Sequence, residues 1–436
     1  MISEFQKHIS ANFPDIQDKK ILLAISGGID SMVLAVLLKE IGIKLHLAHC
    51  NFQLRGNESD EDELFVRKFA EKQNISLEVI RFQTKKYAKQ HKLNTQLAAR
   101  ELRYHWFQQV LVEKQCDFIA TAHHADDMLE TFLINLSRGA GLQGLLSIPM
   151  RNQNIIRPLL PFSREQISIF ALQNNIEWRE DSSNSTDHYT RNKIRHHISP
   201  ILKEIHPSFL KNFLKTQENL SQTQNFLIQQ INNIAKECFS TQPNTIFLID
   251  KLKDNPNRKY ILFELFKKYN FNNADELDKF VFAPSGKQIF SETHRIIQHH
   301  GKWEITERNS DKENLIFHIE KEEKQIESPI KMTFSIVKQI ENTNNKIIYL
   351  DNDLLSYPLR LRKRKEGDYF YPFGMKYQKK LLSKFFKDEK YSLLDKENQW
   401  ILTDQKDNII WVVEKRADER YKINEKTKNI LKIEVL

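Results

Sequence analysis

Residues 21–40 read ILLAISGGIDSMVLAVLLKE. Aliphatic residues precede two adjacent glycines, and an apolar stretch of helical length follows them. The pattern predicts a buried strand, a tight loop and then a helix. Because the chain has only 11 glycines among 436 residues, two neighbouring ones require an explanation. Glycine has no Cβ, so it allows the backbone to turn tightly and a ligand to approach closely.

The predicted loop, SGGIDS at residues 26–31, has the features of a phosphate site. The helix after it points its N-terminal N–H groups and the positive end of its dipole at any group held in the loop. Ser26 and Ser31 add hydroxyl donors, and Asp30 could hold a magnesium ion that bridges phosphate oxygens. For the glycine pair taken alone, the alternative is an ordinary strand-to-helix turn with a serine N-cap.

The loop differs from the Walker motif, GxxxxGK[ST]. No lysine follows the two glycines to reach a γ-phosphate. The nearest imitation is SGK at residues 285–287, but Gln288 replaces the hydroxyl residue and Val281 replaces the first glycine. We therefore expect no cleavage of a nucleotide between its β and γ phosphates.

Strand-like and helix-like segments alternate through the first part of the chain. This alternation predicts an α/β fold with a doubly wound, Rossmann-like parallel sheet. The predicted strands are Lys20–Ser26, Ile43–His49, Leu77–Phe82, Phe118–Ala122 and Ile155–Leu160. One helix is expected over about 95–114, and a second presents an apolar face made of Met128, Leu129, Phe132, Leu133 and Leu136.

Three domains are expected from the change in pattern along the chain. A catalytic domain spans 1–212, a mainly helical domain spans 213–328, and a small mixed α+β domain spans 331–436. The middle domain opens with a long amphipathic helix that starts near Phe209. Residues 318–328, HIEKEEKQIES, are charged and poor in core residues, so they are interpreted as a linker. Residues 347–350 and 409–413 are strand-like.

Composition narrows the class of protein. The three cysteines, Cys50, Cys116 and Cys238, are far apart and form no CxxC pair, which argues against a disulfide framework or a zinc site. No segment approaches the roughly 20 apolar residues of a membrane span, and no secretory leader is visible. We expect a cytoplasmic protein with no membrane association. His46, His49, His123, His124, His196 and His197 lack metal-ligand spacing, and we interpret them as loop or capping residues.

The formal net charge of +9 is unevenly distributed. Residues 360–390 hold 11 Lys and Arg against four acidic residues, a local net charge of +7. Such a stretch indicates a polyanion partner, and a solvated basic face is the alternative.

Further motifs identify a family. SGGIDS resembles the PP-loop, SGGxDS, of enzymes that split ATP between the α and β phosphates. The chain is similar to tRNA(Ile)-lysidine synthetases, densely over 1–212 and moderately over 360–421. The similar stretches begin at Ala48 (AHCNFQLRGNESDEDE), Ala99 (ARELRYHWF), Thr121 (TAHHADDMLETFLINLSRGAGLQGL), Arg157 (RPLL), Trp178 (WREDSSNSTDHYTRNKIRHHISPIL), Glu366 (EGDYFYPFGMKYQKKLLSKFFKDEK) and Ile409 (IIWVVEKRADERY). Residues 391–400 depart from the family, with Ser392, Leu393 and Lys396 where Pro, Arg and Arg are usual, which weakens the expectation of RNA contact there.

The resemblance implies a defined reaction. ATP adenylates the 2-carbonyl oxygen of the wobble cytidine in the CAU anticodon of isoleucine tRNA, with release of pyrophosphate. The ε-amine of free L-lysine then displaces AMP to give lysidine, and the codon read changes from AUG to AUA. Mg²⁺ accompanies ATP, and residues 331–436 bind the tRNA. The oligomeric state is left open, with a homodimer as one option.

The resemblance also assigns the site residues. Ser26, Gly27, Gly28, Ile29, Asp30 and Ser31 bind ATP, with Asp30 as the magnesium ligand. Asp127 and Glu130 lie three residues apart, hence on one helix face, and hold the lysine substrate, with Asp126 beside them. The remaining family positions suit phosphate charge or the tRNA backbone and are Arg100, Arg103, Arg191 and Arg195. A solvated acidic patch and ordinary surface arginines are the alternatives.

Rival functions make different demands on the sequence. A thiolase-type PP-loop enzyme would use catalytic cysteines or a CxxC cluster motif, and an amidotransferase of this superfamily would usually add a glutaminase domain. Neither is seen in the sequence. A non-enzymatic RNA-binding protein with ATP as a structural ligand would bind nucleotide without lysine-dependent release of AMP.

Overall fold

The computed structural model describes residues 1–180, 190–240, 245–308, 315–341 and 344–436. Residues 181–189 of the motif that starts at Trp178 lie outside this part. The chain divides into two compact units, Met1–Ile228 and Gln229–Leu436. None of the helices in the described ranges is long and apolar enough to cross a membrane. The division into domains at 212 and 328 stays a prediction.

A parallel sheet forms the centre of the first unit, as predicted. Its strand order is β3-β2-β1-β4-β6-β5, with only β5 antiparallel to its neighbour. The strands are β1 Lys20–Ala24, β2 Lys44–Asn51, β3 Leu77–Arg81, β4 Phe118–Ala120, β5 Arg151–Asn152 and β6 Ile155–Ile156. The last predicted strand, Ile155–Leu160, is shorter than expected, because Pro158 has no N–H to continue a ladder.

Helices connect these strands. They are α1 Ile2–Asn12, α2 Ile29–Glu40, α3 Asn57–Gln73, α4 Thr84–Gln90, α5 Thr95–Glu113, α6 Ala125–Ser137, α7 Leu142–Leu145, α8 Arg164–Gln173, α9 Thr190–Lys193 and α10 Ser199–Ile205. A π-helical turn, Ile194–Ile198, joins α9 to α10. The three helices predicted in this region, α2, α5 and α6, are confirmed.

The strand order locates the functional edge of the sheet. β1 lies at the centre, and its residues Ile21, Leu22 and Leu23 are all 0% exposed, as in a strand covered on both faces. β1 and β4 are neighbours, and the chain runs from β1 to β2 on one side and from β4 to β6 on the other, so the connections leave these two strands in opposite directions. Ligands of such sheets bind at the carboxyl ends of the strands, where this reversal opens a crevice. The loop after β1 and the loop after β4 meet at that point.

The helix α11, Phe209–Cys238, spans the boundary between the two units and confirms the amphipathic helix predicted from Phe209. Beyond it, α12 Arg258–Phe266 and α13 Ala274–Phe280 pack with an antiparallel sheet that was not predicted. Its strand order is β7-β8-β11-β10-β9. The strands are β7 Phe239–Ser240, β8 Thr245–Leu248, β9 Gln288–Phe290, β10 His294–His299 and β11 Lys302–Glu307.

The remainder of the second unit is rich in strands, with two short helices. One sheet has the order β12-β16-β19-β20-β21, a second has the order β13-β14-β22-β15, and β17 pairs with β18. The elements are β12 Phe317–Ile319, β13 Gln325–Ile326, β14 Met332–Val337, β15 Ile347–Asp351, β16 Leu359–Arg362, β17 Tyr369–Phe370, β18 Lys380–Leu381, α14 Leu382–Asp388, α15 Leu393–Asn398, β19 Ile401–Thr403, β20 Ile409–Val412, β21 Arg416–Ala417 and β22 Ile430–Val435. The mixed character expected for 331–436 is confirmed.

Two details of this region differ from the sequence interpretation. The segment 318–328 is not a linker, because His318 pairs with Arg360 of β16 and Gln325 pairs with Thr333 of β14. One of these partners, Arg360, is distant in sequence, and the other, Thr333, lies in the next strand along the chain. The divergent segment 391–400 forms α15, and Glu397 accepts a hydrogen bond from Arg295 of β10 at 3.1 Å.

Candidate active site

The two adjacent glycines have different structural roles. Gly27 has φ +90°, a conformation that side chains with Cβ rarely adopt. Gly28 has φ −74° and ψ 155°, which any residue can adopt, and a Cβ built there would meet only the Ser26 hydroxyl, at 3.4 Å. The backbone therefore requires the first glycine, whereas the second keeps a space open in front of the N-terminus of α2.

Side chains of the loop hold its shape. Ser31 Oγ donates to the Gly28 carbonyl at 2.9 Å and accepts from the Ser26 N–H at 3.2 Å. The N-cap residue of α2 is Gly28, with no side-chain capping bond, so the alternative of a serine N-cap is wrong. The N–H of Arg179 donates to the Gly27 carbonyl at 3.0 Å. Hydrogen bonds from Ser31 within the loop and from the Arg179 backbone thus hold the loop in shape.

Asp30 lies in the first turn of α2 and faces cations. Arg164, at the start of α8, forms an ion pair with its Oδ1, and His124 Nε2 lies 3.8 Å from the same oxygen. This oxygen is buried, and it makes no hydrogen bond of normal geometry within the described ranges. A carboxylate oxygen in this state suits a Mg²⁺ ligand, since magnesium is usually held by one or two carboxylates together with phosphate oxygens.

Asp127 and Glu130 share one face of α6, as predicted, and both meet Arg195. The Arg195 guanidinium donates from Nε to Glu130 Oε1 at 2.6 Å and from Nη2 to Glu130 Oε2 at 3.1 Å. Its Nη2 also lies 3.3 Å from Asp127 Oδ1. Arg191 Nε is 3.1 Å from Glu130 Oε2. Glu130 is 1% exposed, so these two arginines replace the water that a carboxylate would otherwise need.

Asp126 turns to a different set of partners. It accepts the backbone N–H of Arg164 at 2.8 Å, pairs with the ammonium of Lys203 in α10, and lies 3.6 Å from His124 Nδ1. Its oxygens therefore tie the starts of α6 and α8 to α10. Asp126 stands beside the pair predicted to bind lysine, and in the fold its oxygens contact protein groups.

His124 links the two loops electrostatically. Burial alone would lower its pKa, but the carboxylates of Asp127, Asp126 and Asp30 outweigh burial and raise the pKa above its usual range. Its Nε2 lies 3.5 Å from Asp127 Oδ2, and its backbone N–H donates to that oxygen at 3.1 Å. The capping position expected for this histidine is correct, and its contact with Asp30 is an addition from the fold.

The site shifts the pKa values of Glu130 and Asp127 in opposite directions. Burial raises the pKa of Glu130, and Arg195 only partly offsets this effect. Burial also acts to raise the pKa of Asp127, but the neighbouring histidines and arginines, with His124 first, lower it overall. Asp127 is therefore held ionised, and Glu130 depends on its arginine partners to carry a charge.

The other two predicted arginines lie on α5. The Arg103 guanidinium stacks over the Phe52 ring at 5.2 Å, and that of Arg100 lies over the Tyr104 ring at 4.9 Å. The structure thus brings Arg191 and Arg195 to the α6 carboxylates and places Arg100 and Arg103 over aromatic rings of the same unit. Any role of the α5 pair in phosphate or tRNA binding stays a prediction.

Two cations of the site, Arg164 and Lys203, were not predicted from the sequence. Arg164 follows Ser163, which opens a capping box with Gln166, so the start of a helix there was readable from the sequence. Its contact with Asp30 was not readable, since the two residues meet only through the order of the sheet. Lys203 has no local signal.

Comparisons with known proteins agree with this geometry. A family profile described as PP-loop domain matches residues 1–202, and one described as TilS substrate binding domain matches residues 240–308. The tRNA(Ile)-lysidine synthase of Parabacteroides distasonis is 39% identical over 426 residues, covering 96% of this chain and 96% of its own. The proteins of the same name from Bacteroides thetaiotaomicron and Porphyromonas gingivalis are 36% and 34% identical, and this chain covers 95% and 92% of them. The chain therefore belongs to the tRNA(Ile)-lysidine synthase family of PP-loop, ATP-dependent ligases.

Proposed function

We propose that this enzyme joins free L-lysine to C2 of the wobble cytidine in the CAU anticodon of isoleucine tRNA and so changes the codon read from AUG to AUA. The observation that carries the proposal is the meeting of an open, glycine-lined helix N-terminus with a buried acidic pair, Asp127 and Glu130, at one edge of the sheet. The first feature suits a nucleotide phosphate, and the second suits the ammonium group of lysine.

ATP occupies the loop at residues 26–31 in this proposal. The N–H groups at the start of α2 and the hydroxyls of Ser26 and Ser31 face its phosphates. Asp30 holds Mg²⁺, which supplies charge neutralisation for the pyrophosphate that leaves. The position of the Asp30 carboxylate in the first turn of α2, facing the cations Arg164 and His124, supports this assignment. Asp30→Ala should abolish adenylation and leave the fold intact, because the side chain is not part of the core.

The reaction proceeds in two displacements. The cytidine O2 attacks the α-phosphorus of ATP, the bond to the β-phosphate oxygen breaks, and pyrophosphate leaves. The ε-amine of lysine then attacks C2 after losing one proton, and the C2–O bond breaks to release AMP. A lysine ε-amine has an ordinary pKa near 10.4, so a carboxylate beside it serves both to bind the ammonium and to accept its proton. Asp127 and Glu130 fill this role, and Arg191 and Arg195 can balance phosphate charge.

The basic stretch 360–390 supports the tRNA part of the proposal. Several of its lysines are exposed on α14 and the loop before it, including Lys376, Lys384 and Lys387. Exposed aromatic side chains lie among them, with Tyr377 61% and Phe373 41% exposed. Lysines neutralise phosphates and aromatic rings stack on bases. We assign tRNA binding to residues 331–436, catalysis to 1–212, and a cytoplasmic location to the protein.

A direct assay tests the function. The full chain is incubated with Mg²⁺, α-labelled ATP, labelled lysine and isoleucine tRNA with a CAU anticodon. We expect AMP and pyrophosphate as products, and AMP equal in amount to the lysine joined to tRNA. A matched tRNA with an altered wobble base should accept no lysine. Formation of ADP, or nucleotide binding without lysine-dependent AMP, would overturn the proposal and favour a non-enzymatic RNA-binding protein.

The cysteines do not support the thiolase alternative. Burial raises the pKa of Cys50 to about 12, and burial also raises the pKa values of Cys116 and Cys238. Such thiols stay protonated near neutral pH and are poor nucleophiles.

A further inference from the structure

The carboxylates proposed to hold lysine already hold a cation of the protein. Arg195 contacts both oxygens of Glu130 and one oxygen of Asp127. A planar guanidinium bound to both oxygens of a carboxylate is among the strongest side-chain pairs. The ammonium group of a lysine substrate therefore meets an acceptor pair that is already occupied.

The burial of these groups decides which of them can move. Glu130 is 1% exposed, whereas the side chains of Arg195 and Arg191 are 35% and 41% exposed. A carboxylate this deep cannot exchange its partner for water without a large desolvation cost. The arginines can turn outward to water or to another anion. Lysine can enter only as a replacement for an arginine.

The backbone that carries Arg195 is irregular. Arg195 lies in the π-helical turn Ile194–Ile198, and such turns are rare and are frequent at functional sites. The chain is held in place on either side of Arg195. The Ile194 side chain before it is buried, and Lys203 of α10 after it pairs with Asp126. The Arg195 side chain can therefore leave Glu130 without displacement of α10.

The nucleotide loop lies close to Arg195 through a short chain of contacts. Arg195 Nη2 is 3.3 Å from Asp127 Oδ1, and His124 Nε2 lies 3.5 Å from Asp127 Oδ2 and 3.8 Å from Asp30 Oδ1. Burial acts to lower the pKa of Arg195, but Glu130, Asp127 and also Asp30 of the nucleotide loop raise it overall. Arg195 thus lies in the electrostatic field of the loop where the proposed function places the phosphates. Bound ATP adds several negative charges there and competes with Glu130 for the guanidinium.

We propose that Arg195 is an internal competitor for the lysine ammonium group and that ATP, by drawing Arg195 toward its phosphates, opens the Glu130 and Asp127 site to lysine. The inference rests on the proposed function and adds an order to it: nucleotide binds first and lysine second. While Arg195 neutralises these carboxylates, lysine binds the nucleotide-free enzyme weakly, so it does not occupy the site before ATP. Because coupling between two ligands is reciprocal, lysine must raise ATP affinity by the same factor.

Equilibrium dialysis with labelled L-lysine tests this order on the full chain. Lysine affinity is measured without nucleotide and with saturating Mg²⁺ and α,β-methylene-ATP, which cannot be split between its α and β phosphates. For the wild type we expect lysine affinity to rise about 10-fold with the analogue, within the usual range of coupling between sites. An affinity that is the same with and without the analogue would overturn the proposal.

Variants separate competition from ordinary binding. Arg195→Gln should bind lysine without nucleotide about 10-fold more tightly than the wild type, with little further gain from the analogue. Lys193→Gln removes one exposed positive charge from the same segment and should behave as the wild type. Arg195→Lys keeps the charge and should retain part of the competition, which provides a second test if Arg195→Gln unfolds.

The outcomes separate this inference from the proposed function. If Arg195→Gln binds lysine more weakly than the wild type without nucleotide, Arg195 is part of the lysine site and the competition is refuted. If the wild type fails to bind lysine with and without the analogue, and AMP release does not depend on lysine, the proposed function itself fails.

Discussion

Glu130→Gln is the most informative change at this site. The substitution keeps the shape of the side chain and removes a charge that is 1% exposed. It leaves Arg195 and Arg191, which lie 2.6 and 3.1 Å from this carboxylate, facing a neutral amide. Both effects of the change, on lysine affinity and on stability, follow from these distances and exposures.

The structure sets the size of each effect. A hydrogen bond to a charged group is worth about 1.5–3 kcal/mol, and 1.4 kcal/mol is about tenfold in affinity. The Michaelis constant for lysine should therefore rise about 10- to 100-fold, and the rate should also fall because a proton acceptor is lost. Breaking a fully buried pair costs about 3–5 kcal/mol of folding free energy. Since the Arg195 and Arg191 side chains are 35% and 41% exposed and can turn to water, we expect a cost of about 1 kcal/mol.

The assay compares two substrates in the same preparation. The charged partners of Glu130 in the described part of the chain, Arg191 and Arg195, lie outside the loop at residues 26–31. The Michaelis constant for ATP should therefore not rise, and it should fall if the released Arg195 turns to the ATP phosphates. Glu165→Gln, an exposed glutamate in the first turn of α8, is the matched control and should leave both constants unchanged. Asp127→Asn should follow the pattern of Glu130→Gln. If ATP and lysine constants rose in the same proportion in a folded Glu130→Gln protein, the lysine-binding role would be refuted.

Three further predictions concern other parts of the molecule. Gly28→Ala should keep the melting temperature within about 2 °C and weaken ATP binding at least about tenfold by calorimetry. Gly27→Ala changes a residue at φ +90° and should lower the free energy of unfolding by about 1 kcal/mol or more. Equal melting temperatures of the two variants would contradict this distinction. A second variant replaces four exposed lysines by Gln, namely Lys376, Lys379, Lys384 and Lys387. The slope of log tRNA affinity against log salt concentration should become shallower by up to about 0.9 per lost phosphate contact. An unchanged slope would indicate a solvated face. Burial lowers the pKa of His8 from 6.5 to about 4, so its stabilising contribution is present above pH 6.5 and is lost as the pH falls toward 4. The loss should be about 1–3 kcal/mol after allowance for partial exposure. His8→Gln should therefore flatten this part of the pH profile of the free energy of unfolding.

Much of the first unit could be predicted from the sequence because its determinants are local. The strand, loop and helix around SGGIDS follow from a short aliphatic run, two glycines and an apolar helical stretch. The shared face of Asp127 and Glu130 follows from the 3.6-residue period of a helix. The family followed from several ordered motifs, each written in consecutive residues. These properties depend on neighbours within a few positions of the chain.

The contacts that make the site work depended on tertiary structure. Strand order places β4 beside β1 and so brings His124 to Asp30, and the fold returns Arg195 to Glu130 from 65 positions along the chain. The strand at His318 was missed for the same reason, since its partner Arg360 is distant in sequence. The sheet of β7–β11 was missed although β7 pairs with β8 and β10 with both β9 and β11, because the tendency of short strands to form depends on packing against neighbours more than on their own residues. The sequence alone determined which chemical groups are present and which loop or helix carries each of them. The tertiary structure alone decided which carboxylate faces which cation. The order of the strands brings these groups together, and the burial of Glu130 excludes water, so this carboxylate requires a charged partner.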